Sequence, residues 1–284
     1  MRDAALQSLA VGFFDGVHLG HQAILKGADA ALTFRNHPLT VLAPEKAPRL
    51  IMSVDERVAA IKACGVDEVT VLDFAPELAE MSAEEFVREY LLAAKGCKGA
   101  QRIRCGENWR FGKGGEGNAE WLRAKGIDVV VAPYVEYKDE RISSSRIRRC
   151  LENGEIEDAN AMLGRRYEVR GMREEGKGLG RELGFPTVNF HLVDVRLNLL
   201  HGVYEVITEG MHGVANYGLA PTMGDQAWRQ PVLEVHFPSA HPSSLIPHPS
   251  SLISFVRFIR LERKFDSIED LRRQIAADCA TIGA

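Results

Sequence analysis

With 284 residues, 45% of them apolar and 26% charged, and a net charge of −4, the chain has room for one large domain or two ordinary ones and the composition of a soluble globular protein. No apolar run approaches the roughly 18 residues of a membrane span, and the N-terminal stretch lacks the pattern of a secretory signal, so no membrane partner is expected. The acidic balance leaves no footprint for nucleic acid, and five scattered cysteines without C-x-x-C spacing fit a reducing cytoplasm; a small molecule is the expected partner.

The first half alternates strand and helix patterns. "AVGFF" leads into a helix opening near His18, then "ALTF" reads as a strand. "SVDERVAAIKACG" begins with Ser53 and Glu56 in capping-box spacing, and "SAEEFVREYLLAAKG" repeats this with Ser82 and Glu85. "DEVTVLDF", "RIRCG" and "DVVVAPYV" supply further strands, and a helix is predicted from Ser145 to Leu163. The crossover between the first two strands is close to the shortest that a parallel connection allows. After "LGRR" the pattern changes to short strands with Gly, Asn and Pro turns, and "SIEDLRRQIAADCATI" closes the chain as a helix. The fold class is therefore α/β: a Rossmann-like, doubly wound parallel sheet over residues 1–164, then a small antiparallel β-barrel with a C-terminal helix over 165–284. A near-perfect duplication, "HPSSLIP" (241–247) followed by "HPSSLI" (248–253), interrupts the barrel and is predicted to form a surface loop.

Two constellations carry chemistry. In "VGFFDGVHLGHQAIL" the first strand ends at Phe14, where ligands of doubly wound sheets bind, and His18 and His21 follow on one face around Gly20. Imidazoles there suit phosphoryl oxygens; alone, one would serve as a cap and the other as a surface residue. "ISSSRIRR" offers Ser143, Ser144, Ser145 and Arg146 at a helix start, either as plain capping or as a second anion site. In "GKGLGRELGFPTVNF", Thr187 and Asn189 share a strand face; their oxygens suit Mg²⁺, or simply water.

"FFDGVHLGH", "TFRNHP", "GENWRFG" and "ISSSRIR", in that order, resemble the adenylyltransferase domain of bacterial bifunctional riboflavin kinase/FAD synthetases. "GRELGFPTVN", "GVANYGLAPT" and "LEVHF" resemble the riboflavin kinase barrel of the same family. The resemblance implies that His18 and His21 hold the phosphates of ATP. Gly12, Phe14, Asp15, Gly16, Ser144, Ser145 and Arg146 would line the nucleotide, with Asn108 and Phe111 at the flavin. In the barrel it implies Gly180 and Arg181 for nucleotide, Thr187 and Asn189 for Mg²⁺, and Glu234 as general base on the riboflavin 5′-hydroxyl. By itself Glu234 reads as a strand residue facing water. The implied activity is conversion of riboflavin to FMN and of FMN to FAD, each with ATP, in the cytoplasm. The alternatives are an FMN adenylyltransferase with a silent flavin-binding barrel, or a non-catalytic flavin-binding regulator.

Overall fold

In a computed structural model that describes residues 8–92, 101–174, 184–193, 197–219, 231–238 and 249–283, the chain divides into two units, 1–144 and 145–284. The first is built on β1 (Ser8–Val11), β2 (Ala30–Phe34), β3 (Glu68–Leu72), β4 (Arg102–Gly106) and β5 (Asp128–Ala132). They pair in the order β3-β2-β1-β4-β5, every pairing parallel. Successive side chains of a strand leave opposite faces, and here both faces are buried. Leu9 and Val11 enter one apolar cluster with Phe86, Leu91 and Leu122, while Ala10 enters another with Leu25, Ile61 and Val66. The strand order reverses between β1 and β4, so the crevice beyond their carboxyl ends is where this topology offers a ligand site.

The short first crossover closes without disturbing the sheet. Its helix, Leu19–Leu25, is only seven residues long. Leu25 is fully buried, and Arg104 of β4 donates to the Ile24 carbonyl at 3.0 Å. Asp29 then fastens the return: its carboxylate accepts the Ser8 N–H at 2.8 Å, and its own N–H reaches the Ser8 carbonyl at 2.9 Å. Both predicted capping boxes form, Ser53 with Glu56 and Ser82 with Glu85. Beyond Phe86, however, the second of these helices widens into π-helix over Val87–Leu92. A tight hairpin, β6 (Glu136–Tyr137) and β7 (Glu140–Arg141), turns through Lys138 and Asp139 with φ of 54° and 58°.

The helix predicted over 145–163 is in fact two, Ser144–Glu152 and Ile156–Leu163. Asn153 and Gly154 separate them, and Gly154 adopts φ 78°, which ends the first helix. The barrel comprises β8 (Tyr167–Glu174), β9 (Thr187–Val193), β10 (Gly202–Thr208), β11 (Met211–Leu219), β12 (Pro231–His236) and β13 (Ser250–Leu261). It closes in the order β10-β11-β12-β9-β8-β13 with every pairing antiparallel. On β9 the buried Val188, Phe190 and Leu192 fill the interior, which turns Thr187, Asn189 and His191 outward. A helix over Ile268–Ala280, capped by Ser267, follows the last strand.

The duplicated segment corrects the loop expectation in part. Its first copy and His248 lie outside the described residues. In the second, Ser250–Ile253 are the opening residues of β13, paired with Met172–Val169 of β8. "SSLI" has the alternation a barrel strand requires: Ser251 and Ile253 point in and are buried, whereas Leu252 points out at 43% exposure. Strand pairing with β8 outweighs the turn signal of the preceding His-Pro.

Candidate functional site

The N-terminal site begins as a contorted turn. Phe14, Gly16 and Val17 take φ of 57°, 86° and 40°, a left-handed run that two non-glycine residues enter at a cost. Packing and hydrogen bonds hold it there. The buried Asp15 carboxylate accepts the Ile51 N–H at 3.0 and 3.2 Å, and its carbonyl accepts the Ser144 hydroxyl at 2.8 Å. Thr33 secures the Phe13 carbonyl at 2.9 Å, and the Gly12 N–H remains in the sheet, on the Leu32 carbonyl at 3.2 Å. Asp15 and Phe14 thus shape the loop from inside, since both are 1% exposed.

His18 caps the helix: its Nδ1 accepts the His21 N–H at 3.3 Å, which leaves the proton of the neutral ring on Nε2. The two imidazoles stack with centroids 3.6 Å apart and planes 18° from parallel. Gly20 permits this, because a Cβ there would come within 3.1 Å of the His18 ring. Phe14 meets His21 edge-on at 5.4 Å. The Nδ1 of His21 is buried with no hydrogen-bond partner among the described residues. Burial first, then the charges of His18, Arg57 and Arg141, hold the His21 pKa well below its ordinary value, so the ring is neutral at pH 7. With so short a helix behind them, the imidazoles rather than a helix dipole are the groups here suited to an anion.

Arg57 and Arg141 escaped the sequence reading. Arg57 is fully buried, its guanidinium 4.3 Å from the Phe13 ring centroid and bonded to the Phe34 carbonyl at 2.5 Å. Nothing in "DERVAA" signals a buried cation. Arg141, adjacent to the serine run, lies 3.6 Å over the Tyr134 ring and donates to Asn108 Oδ1 at 3.3 Å. Asn108 follows β4 as the histidines follow β1, and these are the two strands flanking the switch point. Phe111, by contrast, is a core residue at 7% exposure, stacked on Trp109 at 4.6 Å and edge-on to Trp121 at 5.8 Å. Ser145 and the buried Arg146 continue the helix that Ser144 opens.

The barrel site is a cavity of about 380 Å³ on the outward face of the strands. Its lining is mixed: Phe265, Leu271 and Ile275, the latter two from the C-terminal helix, are apolar, and Thr187, Asn216, Glu234, Glu262, Arg260 and Arg263 are among the polar residues. Glu234 stands directly opposite Asn189 of β9 on one side and Asn216 of β11 on the other. Glu234 is exposed, yet its surroundings strip enough water from the carboxyl to raise its pKa above the ordinary glutamate value. Asn189 Oδ1 is buried without a partner among the described residues, an acceptor left open beside that carboxylate. Arg260 clamps the helix with Nε 3.1 Å from both Asp278 oxygens and a terminal nitrogen at 2.7 Å. Sequence alone had no means to pair these two. Gly180 and Arg181 lie outside the described residues.

A parallel sheet with stacked imidazoles at its switch point, and a barrel presenting a desolvated carboxylate in a cavity, define a two-part phosphate-transfer protein. Two family models match the chain: FAD synthetase over residues 2–146 and riboflavin kinase over 163–284. The bifunctional riboflavin kinase/FMN adenylyltransferase of Bacillus subtilis is 32% identical over 97% of this chain and 91% of its own. That of Escherichia coli (strain K12) is 31% identical over 95% of this chain and 90% of its own. A crystal structure described as a macrolide-efflux protein from Streptococcus pneumoniae matches with TM-score 0.85 and 29% identity, covering 98% of this chain and 94% of that one. Among the described residues of the present chain, no helix is long and apolar enough to cross a membrane. The chain belongs to the bifunctional riboflavin kinase/FMN adenylyltransferase family.

Proposed function

We infer that this chain phosphorylates riboflavin to FMN and adenylylates FMN to FAD, using ATP for both reactions and releasing pyrophosphate in the second. One observation carries the reading: each family-matched stretch holds its own constellation, the His18–His21 stack in one and Glu234 beside Thr187 and Asn189 in the other. We assign adenylylation to residues 1–164, phosphorylation to 165–284, and the working compartment to the cytoplasm.

In the first half, a phosphate oxygen of FMN attacks the α-phosphorus of ATP and the bond to the β-phosphate breaks. FMN needs no base, because its phosphate is already anionic; positioning and charge stabilisation suffice. His18 and His21 donate to the phosphates as negative charge moves onto the leaving pyrophosphate. Ser144, Ser145 and Arg146 bound the nucleotide on the other side, with Asn108 toward the flavin and Phe111 supporting that loop through Trp109. In the second half the nucleophile is a neutral alcohol, and Glu234 takes the 5′-hydroxyl proton as the oxygen attacks the γ-phosphorus of ATP.

The donor set suits Mg²⁺. Thr187 and Asn189 offer hard oxygens two residues apart on one face, one of them the open Asn189 acceptor. When bound, Mg²⁺ neutralises phosphate charge. The decisive experiment is a time course with riboflavin and Mg-ATP, the flavins separated by chromatography. FMN appearing first and FAD after it is the expected result; unchanged riboflavin would overturn the kinase assignment, and added FMN left unconverted would overturn the other.

A further inference from the structure

Glu262 has no part in the mechanism above, yet it faces the same cavity as Glu234. It follows the last residue of β13, and its side chain folds back over β11. There a Cβ on Gly218 would fall 2.2 Å from Glu262 Oε1, so only glycine leaves the carboxylate room to lie flat on the strand. Asn216 Nδ2 donates to Glu262 Oε1 at 3.1 Å, and Asn216 is the direct β11 partner of Glu234. A row of oxygen acceptors, Glu262–Asn216–Glu234, therefore runs along one wall of the cavity and ends at the residue assigned as base. Phe265, Leu271 and Ile275 line the same cavity with apolar surface, and Arg260 and Arg263 line it as well.

A cavity with this mixed lining suits a substrate that joins an apolar ring to a polyhydroxylated chain whose terminal hydroxyl reacts. We propose that Glu262, held in place by Asn216, is a specificity-determining residue of the kinase half that accepts hydrogen bonds from the ribityl hydroxyls of the flavin. The inference rests on the kinase reading and deepens it. Glu262 selects flavins bearing the polyol and fixes the chain so that the 5′-hydroxyl meets Glu234. Sites that hydrogen-bond substrate hydroxyls reject analogues lacking them far more strongly than apolar pockets reject a missing methylene.

The test compares riboflavin with lumiflavin, which keeps the ring and carries no hydroxyls. In Glu262→Ala the KM for riboflavin in FMN formation should rise about tenfold or more. The inhibition constant of lumiflavin against the same reaction should stay within about twofold, since lumiflavin has nothing for a carboxylate to accept. Glu262→Asp should recover part of the loss. Conversion of FMN to FAD by the other half, unchanged in the same preparation, shows that the chain is folded. Equal weakening of both flavins would overturn the proposal and make Glu262 a piece of wall; an unchanged KM for riboflavin would overturn it outright. Should the wild-type chain make no FMN at all, the kinase reading falls. Direct titration of both flavins into wild type and Glu262→Ala then decides the recognition role separately.

Discussion

The two halves prepare for phosphate chemistry in opposite ways. At the N-terminal site, a group able to carry positive charge is kept neutral: the half-buried His21 is desolvated and lies near His18 and two arginines, so it titrates well below its ordinary range. In the barrel, a group that must carry negative charge is kept reluctant to do so, because Glu234 loses water in its cavity and titrates above its ordinary range. Each environment destabilises the charged form of its key residue. A triphosphate favours the charged form of His21, whereas Glu234, on taking the hydroxyl proton, passes into the neutral form its cavity prefers. The nucleophiles explain the difference, since FMN brings its own negative charge and riboflavin brings a hydroxyl. The scaffolds differ as well. The first site needs left-handed φ at Phe14 and Val17, while the second stands on regular strands.

The largest effect should come from removing the base. Glu234→Ala is expected to lower kcat for FMN formation by about 10²- to 10⁴-fold and to leave conversion of added FMN to FAD intact; a loss below tenfold would point to another base. His21→Ala is the mirror experiment. FAD formation should fall by roughly 10²- to 10³-fold while FMN still accumulates from riboflavin. Normal FAD output would end the phosphate-donor reading of the stacked imidazoles.

Stability gives the next largest contrast. Ile253, fully buried in the second copy of the repeat, should cost roughly 2–5 kcal/mol on replacement by alanine. Its neighbour Leu252, which points outward, should cost no more than about 0.5 kcal/mol. Denaturant titration of the two variants checks this, and equal costs would contradict the strand register. The smallest effect is one of pH. The raised pKa of Glu234 means that its charged form is penalised in the folded protein. That penalty is present above the folded pKa and absent below the unfolded one. Glu234→Gln should therefore melt at a slightly higher temperature than wild type at pH 7, and the gain should vanish as the pH drops below the ordinary glutamate value. A gain that persisted in acid would show that desolvation of the charge is not its cause.

Much of this architecture is legible in periodicity. The alternation of "AVGFF", "ALTF" and "DEVTVLDF" with capped helices implies parallel crossovers, and the parallel sheet forms with both capping boxes in place. The barrel is legible for the same reason, since two-residue alternation declares which face is buried before any partner is known. Where the reading stopped short, long-range pairing outweighed local preference. Ser250–Ile253 looked like loop because Pro249 precedes them, yet an in-register partner on β8 extends the strand to Ser250. Asn153 and Gly154 stood in plain sight, but only packing decides that a helix ends there rather than bending.

The chain by itself determined the kinds of groups available: two histidines around a glycine after a strand, a hydroxyl and an amide on one face, and a carboxylate in "LEVH". Side-chain chemistry and local spacing are properties of the sequence. Which of those groups meet, and what charge they hold, was decided only by the tertiary structure. Burial first, then His18 with Arg57 and Arg141 from separate segments, keeps His21 neutral, and Arg260 near the end of β13 finds Asp278 in the C-terminal helix. Glu262 folds back across β11 to reach the cavity of Glu234. The reason is physical: desolvation and Coulomb interactions depend on distance through space, and distance through space is what folding creates.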